Sequence, residues 1–167
     1  MIVNGRTLLV AAPIADMEST KVSAFGVSYG LGEAGYDIRI KQTIEFFPNT
    51  EKITRADGEL MEKESFNGRF VLASSIERFQ MPTDLLGVVH DKSTWARKGL
   101  SVFNTVVEPG WHGFLTLELV FKGNEHLIIP AGAGIAQVLF HELENHATYF
   151  GKYQGQGDHP VPAIESK

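Results

Sequence analysis

Glycine or proline stands at almost every boundary between the apolar runs in the second half of this chain: Pro82, Gly99, Pro109-Gly110, Gly123, Pro130, Gly132 and Gly134. Punctuation that dense stops helices early and leaves short segments that bury themselves best by pairing edge to edge. The segments agree with that reading. Residues 70–73, 87–89, 100–103, 114–121, 126–129 and 135–140 are rich in Val, Ile, Leu and Phe and read as strands. Helical periodicity is confined to residues 7–15 and to a turn at Ser93. The expected fold is all-β, a distorted barrel or jelly-roll-like subunit with short helical turns and glycines at its corners.

A chain of 167 residues with 43% hydrophobic content supports one domain with a substantial core rather than two. That domain is expected over residues 1–148. Residues 149–167 form a C-terminal tail in which 151–157, Gly-Lys-Tyr-Gln-Gly-Gln-Gly, carry no core-forming pattern. Such a tail is either a disordered end or a flap, with Tyr and Gln for stacking and hydrogen bonds and glycines as hinges.

Charge and composition narrow the function. A net charge of −5 argues against a broad nucleic-acid-binding face but leaves room for a small anion in a locally basic pocket. The absence of cysteine removes disulfides, thiol nucleophiles and the His/Cys/Cys zinc site of the zinc nucleobase deaminases, and fits a cytoplasmic protein. No apolar run is long enough to span a membrane. Residues 8–15 resemble a short signal-peptide core. Only Arg6 precedes them, however, and Asp16 and Glu18 follow, so they read better as an N-terminal helix or strand packed on the core. His141 and His146 are five apart and would not share a helix face, which leaves no paired-histidine metal motif. There is no phosphate-binding Walker loop and no nucleophile elbow.

Two places carry chemistry. From His90 to Leu100 the chain offers hydroxyls, cations and a helix-stopping glycine: Asp91 or Ser93 can cap a turn, and Gly99 can end it in a left-handed conformation. Ser93 and Arg97 fall on one face of such a turn, and with Lys92 they suit phosphate oxygens. In the strand 114–121, Leu115, Leu117 and Leu119 share one face and Thr116, Glu118 and Val120 the other. Glu118 is then either a solvated surface residue or a carboxylate held on a rigid element inside a cleft, where desolvation raises its pKa.

In order along the chain, five blocks together resemble the dCTP deaminase branch of the dCTP deaminase/dUTPase superfamily. They are Ser28-Tyr29-Gly30 through Gly35-Tyr36-Asp37-Ile38-Arg39, Lys92-Ser93-Thr94-Trp95-Ala96-Arg97-Lys98-Gly99-Leu100, and Glu108-Pro109-Gly110-Trp111-His112-Gly113 with Leu115-Thr116-Leu117-Glu118-Leu119. The last two are 135–140 and Lys152-Tyr153-Gln154-Gly155-Gln156. The resemblance implies a dUTPase-like (β-clip) homotrimer with sites between neighbouring chains, and hydrolysis of dCTP to dUTP and ammonia without zinc. It implies Glu118 as general base and then acid, with Ser93 and Arg97 placing water and substrate and contacting phosphates. Lys92 and the turn Thr94, Trp95, Ala96 would hold the triphosphate, and Thr116 and Leu117 would border the pyrimidine. Gln137, Tyr149, Lys152 and Gln156 would close over the nucleotide, Mg2+ would accompany the triphosphate, and dTTP is a candidate effector. The chain departs from the family pattern at Leu119-Val120-Phe121, where an Asn commonly follows the glutamate, and in its short N-terminal half.

Three functions compete with that one. Glu108 occupies the turn where dUTPases carry a water-positioning acid, so a bifunctional enzyme giving dUMP and pyrophosphate, or a dUTPase, are alternatives. The third is a nucleotide-binding regulator without turnover.

Overall fold

The computed structural model describes residues 1–48, 52–54, 60–62 and 69–165; residues 166 and 167 of the expected tail lie outside them. The chain begins with β1 (Ile2–Val3) and a two-turn helix α1 (Gly5–Ala11), followed by β2 (Lys21–Ala24), β3 (Val27–Leu31), β4 (Tyr36–Arg39) and β5 (Ile44–Phe46). A hairpin, β6 (Lys52–Thr54) and β7 (Leu60–Glu62), precedes the long β8 (Arg69–Gln80) and β9 (Leu85–Asp91). One helical turn, α2 (Ser93–Ala96), leads to β10 (Leu100–Val102), β11 (Val106–Val107), β12 (His112–Phe121), β13 (Leu127–Ile129) and β14 (Gly134–Glu142). Strand dominates, as the punctuation requires. The helix at the N-terminus is real but starts and stops earlier than residues 7–15, with Leu8 as its buried residue.

The ladders form open sheets rather than one closed barrel. Besides the two-stranded pairs β13-β5 and β6-β7 there are two main sheets: the larger runs β11-β9-β14-β4-β3-β2, with β1 also paired to β14, and the smaller runs β10-β12-β8. Both contribute to a single core, in which Tyr36, Ile38, Val138 and Phe140 from the large sheet join Phe79, Leu117 and Leu119 from the small one. Strand β12 shows why the sequence folds this way. Leu115, Leu117, Leu119 and Phe121 are buried, whereas Glu118 and Val120 on the opposite face are only half-buried.

Strands β2, β3 and β4 are not evident from apolar content, because Ser, Gly, Asp and Arg interrupt them. Their polar residues are used internally. Arg39 of β4 donates from its backbone N–H and from Nε to the two carboxylate oxygens of Glu77 on β8, each at 2.8 Å, tying the sheets together. The Tyr29 ring lies 4.6 Å from the same guanidinium. Burial pushes the Glu77 carboxyl up, against the pull of Arg39.

Glu77 reaches β4 because β8 is irregular there. Phe114 pairs with Arg78 while Thr116 pairs with Ser74, so three residues of β8 face the single residue Leu115. Ser75 repairs the interrupted ladder: its Oγ accepts the Leu115 N–H at 2.9 Å and donates to the Glu77 carbonyl at 2.8 Å.

Candidate functional site

A cavity of about 480 Å³ opens on the outer face of β12, within the size range of small-molecule sites. Leu115, Thr116 and Glu118 come from β12, and Phe70 and Leu72 from β8. Thr105 to Glu108 form the side next to β11, with Trp111 beyond them. Tyr149, Tyr153, Gln156, Val161 and Ala163 of the C-terminal segment complete the lining.

Glu118 is the residue this surface changes most. It is half-buried, opposite Leu72 in the β8–β12 ladder, and its Oε2 is buried without a hydrogen-bond partner. Burial pushes its pKa above the ordinary carboxylate value, and only its own backbone pulls the other way. A carboxylate so placed holds a proton more readily than one in water, which suits a group that must take a proton and return it. Glu108 lines the same cavity from an exposed position after β11. Thr116 is buried, with its Oγ1 3.4 Å from Gln156 Oε1. Leu117 faces the core, so only its backbone is near the site.

The C-terminal segment expected to be disordered or a flap packs against this cavity. The Tyr149 N–H donates to the Pro109 carbonyl at 2.8 Å, and Trp111 Nε1 donates to the Tyr153 carbonyl at 2.6 Å. Gln154 accepts the His112 N–H and donates to the Gly110 carbonyl. Gly113 and Gln156 form a parallel bridge, with the Phe114 N–H donating to the Gln156 carbonyl at 3.1 Å. Tyr149 and Gln156 therefore stand beside Glu118. Lys152 does not: its Nζ donates to the Ile164 carbonyl and sits 5.2 Å from the ring of Tyr153.

The turn after β9 lies elsewhere. The backbone N–H of Arg97 closes α2 onto the Ser93 carbonyl, so Ser93 and Arg97 share a turn, both exposed, and Gly99 follows with φ of +88°. Neither proposed cap caps it; the Asp91 carboxylate instead accepts the Val102 N–H at 2.7 Å. Thr94 and Ala96 are exposed, whereas Trp95 is a core residue whose Nε1 donates to the Gly134 carbonyl at 2.7 Å. Lys92, expected to hold phosphate, spends its ammonium inward on Asp37 Oδ2 and Ser28 Oγ, with side chains only 10% and 5% exposed for Lys92 and Asp37. A phosphate would have to compete with a buried carboxylate for it. Gln137, midway along β14 opposite His90 and Asp37, does not line the cavity.

The cavity of one chain thus brings together Glu118, Glu108, Thr116, Tyr149 and Gln156, and leaves out Ser93, Arg97, Lys92, Lys152 and Gln137. None of its lining residues among the described ones is Lys or Arg. Sequence reading missed Trp111 and Tyr153 as cavity residues, although both stand inside recognisable motifs. Phe70, Leu72, Val161 and Ala163 gave no signal, being ordinary apolar residues until the fold sets them around a carboxylate.

Residues 11–143 match the family model described as dCTP deaminase-like. The chain is 38% identical over 154 residues to a dCTP deaminase of Herpetosiphon aurantiacus, covering 83% of each chain. It is 34% identical over 154 residues to a dCTP deaminase of Anaplasma phagocytophilum, again covering 83% of each. A Sulfurovum dCTP deaminase is 36% identical over 159 residues, covering 83% of this chain and 81% of that one. Among solved structures, a Staphylococcus bacteriophage 80alpha dUTPase with dUpNHpp superposes with a TM-score of 0.52 at 14% identity, over 80% of this chain and 88% of that one. The dUTPase of EIAV does so at 0.50 and 17%, over 73% and 87%. These two establish likeness of fold.

Proposed function

The chain belongs to the dCTP deaminase-like family, and from that membership we propose that it hydrolyses dCTP to dUTP and ammonia, with Glu118 as the base and then the acid. The observation that carries the reading is Glu118 itself: a carboxylate on a rigid strand, its Oε2 unpartnered, inside a cavity of nucleotide size. Attack of water at C4 of cytosine requires a group to take the water's proton, protonate N3, and then deliver a proton to the departing amine. One positioned carboxylate does all three in sequence and contributes roughly 10²–10⁴-fold. A raised proton affinity helps the second and third transfers. The backbone of Thr116 and Leu117 borders the pyrimidine, and Tyr149 and Gln156 cover it.

The triphosphate needs cations that, among the described residues, the cavity lining of one chain lacks. We therefore read the site as shared within a homotrimer, with Ser93 and Arg97 supplied to it by a neighbouring copy and Lys152 and Gln137 closing on the nucleotide when it is bound. The exposure of Ser93 and Arg97 supports this, since both are free to meet a second chain. With no cysteine in the chain, the reaction is assigned to carboxylate chemistry rather than to a thiolate-held zinc. Among the described residues no cluster of three or more His, Asp or Glu forms a metal cage. Mg2+ is read as carried by the triphosphate, since this ion keeps several waters and takes substrate phosphates. When bound it would neutralise phosphate charge.

Glu108 on the same cavity favours one second reading, release of pyrophosphate after deamination. Its side chain is one methylene longer than the aspartate usual in such pyrophosphatases, which misplaces a water enough to cost rate. The test is to feed dCTP with Mg2+ and follow ammonia and pyrophosphate together. Ammonia alone is expected. Equal amounts of both would assign the bifunctional reaction, and no ammonia from dCTP would overturn the proposal.

A further inference from the structure

Residues 159–164, His-Pro-Val-Pro-Ala-Ile, lie beyond the family-model match, which ends at residue 143, and form neither strand nor helix. They are nevertheless pinned. The Val161 N–H donates to Thr116 Oγ1 at 3.0 Å and the Ile164 N–H donates to the Tyr153 hydroxyl at 3.2 Å; a third contact, from Lys152 Nζ to the Ile164 carbonyl, is given up when Lys152 turns to the nucleotide. Between these pins Val161 and Ala163 line the cavity. Thr116 and Glu118 are two residues apart on one strand and so share a face. The segment is therefore fastened to the strand next to Glu118, across from the apolar wall of Phe70, Leu72 and Val106.

We propose that residues 160–164 are a strap that excludes bulk water from Glu118 and tunes that residue for proton transfer; the inference rests on the role given to Glu118 above. The pins act through backbone groups. Position 161 needs an N–H and a small apolar side chain, whereas Pro160 and Pro162 on either side have no N–H to offer. The ionisable groups facing the cavity are Glu108 beyond β11 and Tyr149 and Tyr153 of the C-terminal segment. β8 contributes Phe70 and Leu72, and among the described residues no lining residue is a cation. Burial is thus the source of the raised proton affinity of Glu118, and the strap supplies part of that burial. Ser93 and Arg97 from a neighbouring copy would be present equally with or without the strap.

The test compares the full chain, a chain ending at Gln156, and the variants Val161→Pro and Val161→Ala. The readouts are a carbon-13 carboxyl NMR titration of Glu118 and the pH dependence of kcat with dCTP. Truncation is expected to move the Glu118 titration and the acid limb of kcat to lower pH. It should also cut kcat at neutral pH by about tenfold, a fraction of what positioned acid–base catalysis supplies. Val161→Pro, which removes the donor to Thr116, should shift both in the same direction, while Val161→Ala, which keeps it, stays close to the full chain. An unshifted titration in the truncated chain, or identical behaviour of Val161→Pro and Val161→Ala, overturns the strap. Should the truncated chain lose its β-sheet circular dichroism, the two point variants decide. A full chain that releases no ammonia from dCTP refutes the deaminase reading, and the NMR titration still judges the strap.

Discussion

Replacing Glu118 by Gln should make the protein more stable at neutral pH while nearly abolishing turnover. Burial raises the folded-state pKa of Glu118 above its unfolded value. Between those two values the native state holds the extra proton, so stability falls as pH climbs through that window. Above it the charged carboxylate is carried at a cost, and below the unfolded value the cost is gone. Oε2 is the buried oxygen without a partner; an amide there is still unpaired, so Glu118→Gln relieves only the extra cost of the charge, which is of the same order as the cost of any unpaired buried polar group, about 1–3 kcal/mol. The rest of the side chain reaches the cavity and its solvent, which halves that figure at least. The expected gain for Glu118→Gln is about 0.5–1 kcal/mol at pH 7, or roughly 1–4 °C in Tm for a chain of this size. It should shrink towards zero as the pH is lowered through the raised pKa of the parent. Urea or thermal denaturation of both proteins at neutral and acidic pH measures it, alongside a fall in dCTP turnover of at least about 10²-fold with nucleotide binding kept. A Gln variant that is less stable at pH 7, or whose advantage does not depend on pH, would refute the claim that Glu118 is a desolvated, uncompensated charge.

Lys92→Met leaves the Asp37 carboxylate buried without its counter-charge, with Oδ2 held by the Ser28 hydroxyl alone beside an Oδ1 that already lacks a partner. The expected loss is about 3–5 kcal/mol in urea denaturation, with much of it recovered by adding Asp37→Asn; a single variant as stable as the parent would show that the pair is dispensable. Gly134→Ala drives a Cβ into the backbone carbonyl of Ser28, beside Lys92 Cε. It should cost about 1–3 kcal/mol in thermal unfolding, and an unchanged Tm would mean that β3 and β14 can separate there freely.

The β-rich fold and β12 were legible because a period-two leucine face and glycine corners are local signals. Strands β2 to β4 were not, since their Ser28, Asp37 and Arg39 satisfy Lys92, between β9 and α2, and Glu77 on β8, far away in sequence, and a polar residue looks the same whether it meets water or a distant carboxylate. Lys92 illustrates the same limit. Its neighbours Ser93 and Arg97 suggested phosphate, but the direction of its ammonium is set by Asp37, fifty-five residues earlier. The five-block resemblance grouped Glu118, Thr116, Tyr149 and Gln156 with Lys92, Ser93, Arg97, Gln137 and Lys152, and the cavity of one chain gathers only the first four. Val161 and Ala163 could not have been found by pattern, because only the fold sets these ordinary apolar residues on the cavity wall.

The irregularity in β8 has an even count. Two residues more than the partner strand leave every side chain beyond it on its original face, because facing repeats every second residue. Parity is thus a conserved quantity of this sheet. Losing or gaining a pair among residues 75–77 would lengthen or shorten the reach of Glu77 towards β4 while Leu72 still met Glu118 from the cavity side. Losing a single residue would turn Leu72 and Phe70 inward and present Ala73 and Val71 to the carboxylate instead. The cavity wall can therefore be rewritten from a point remote from it by a one-residue change in strand length, with no residue of the wall itself substituted.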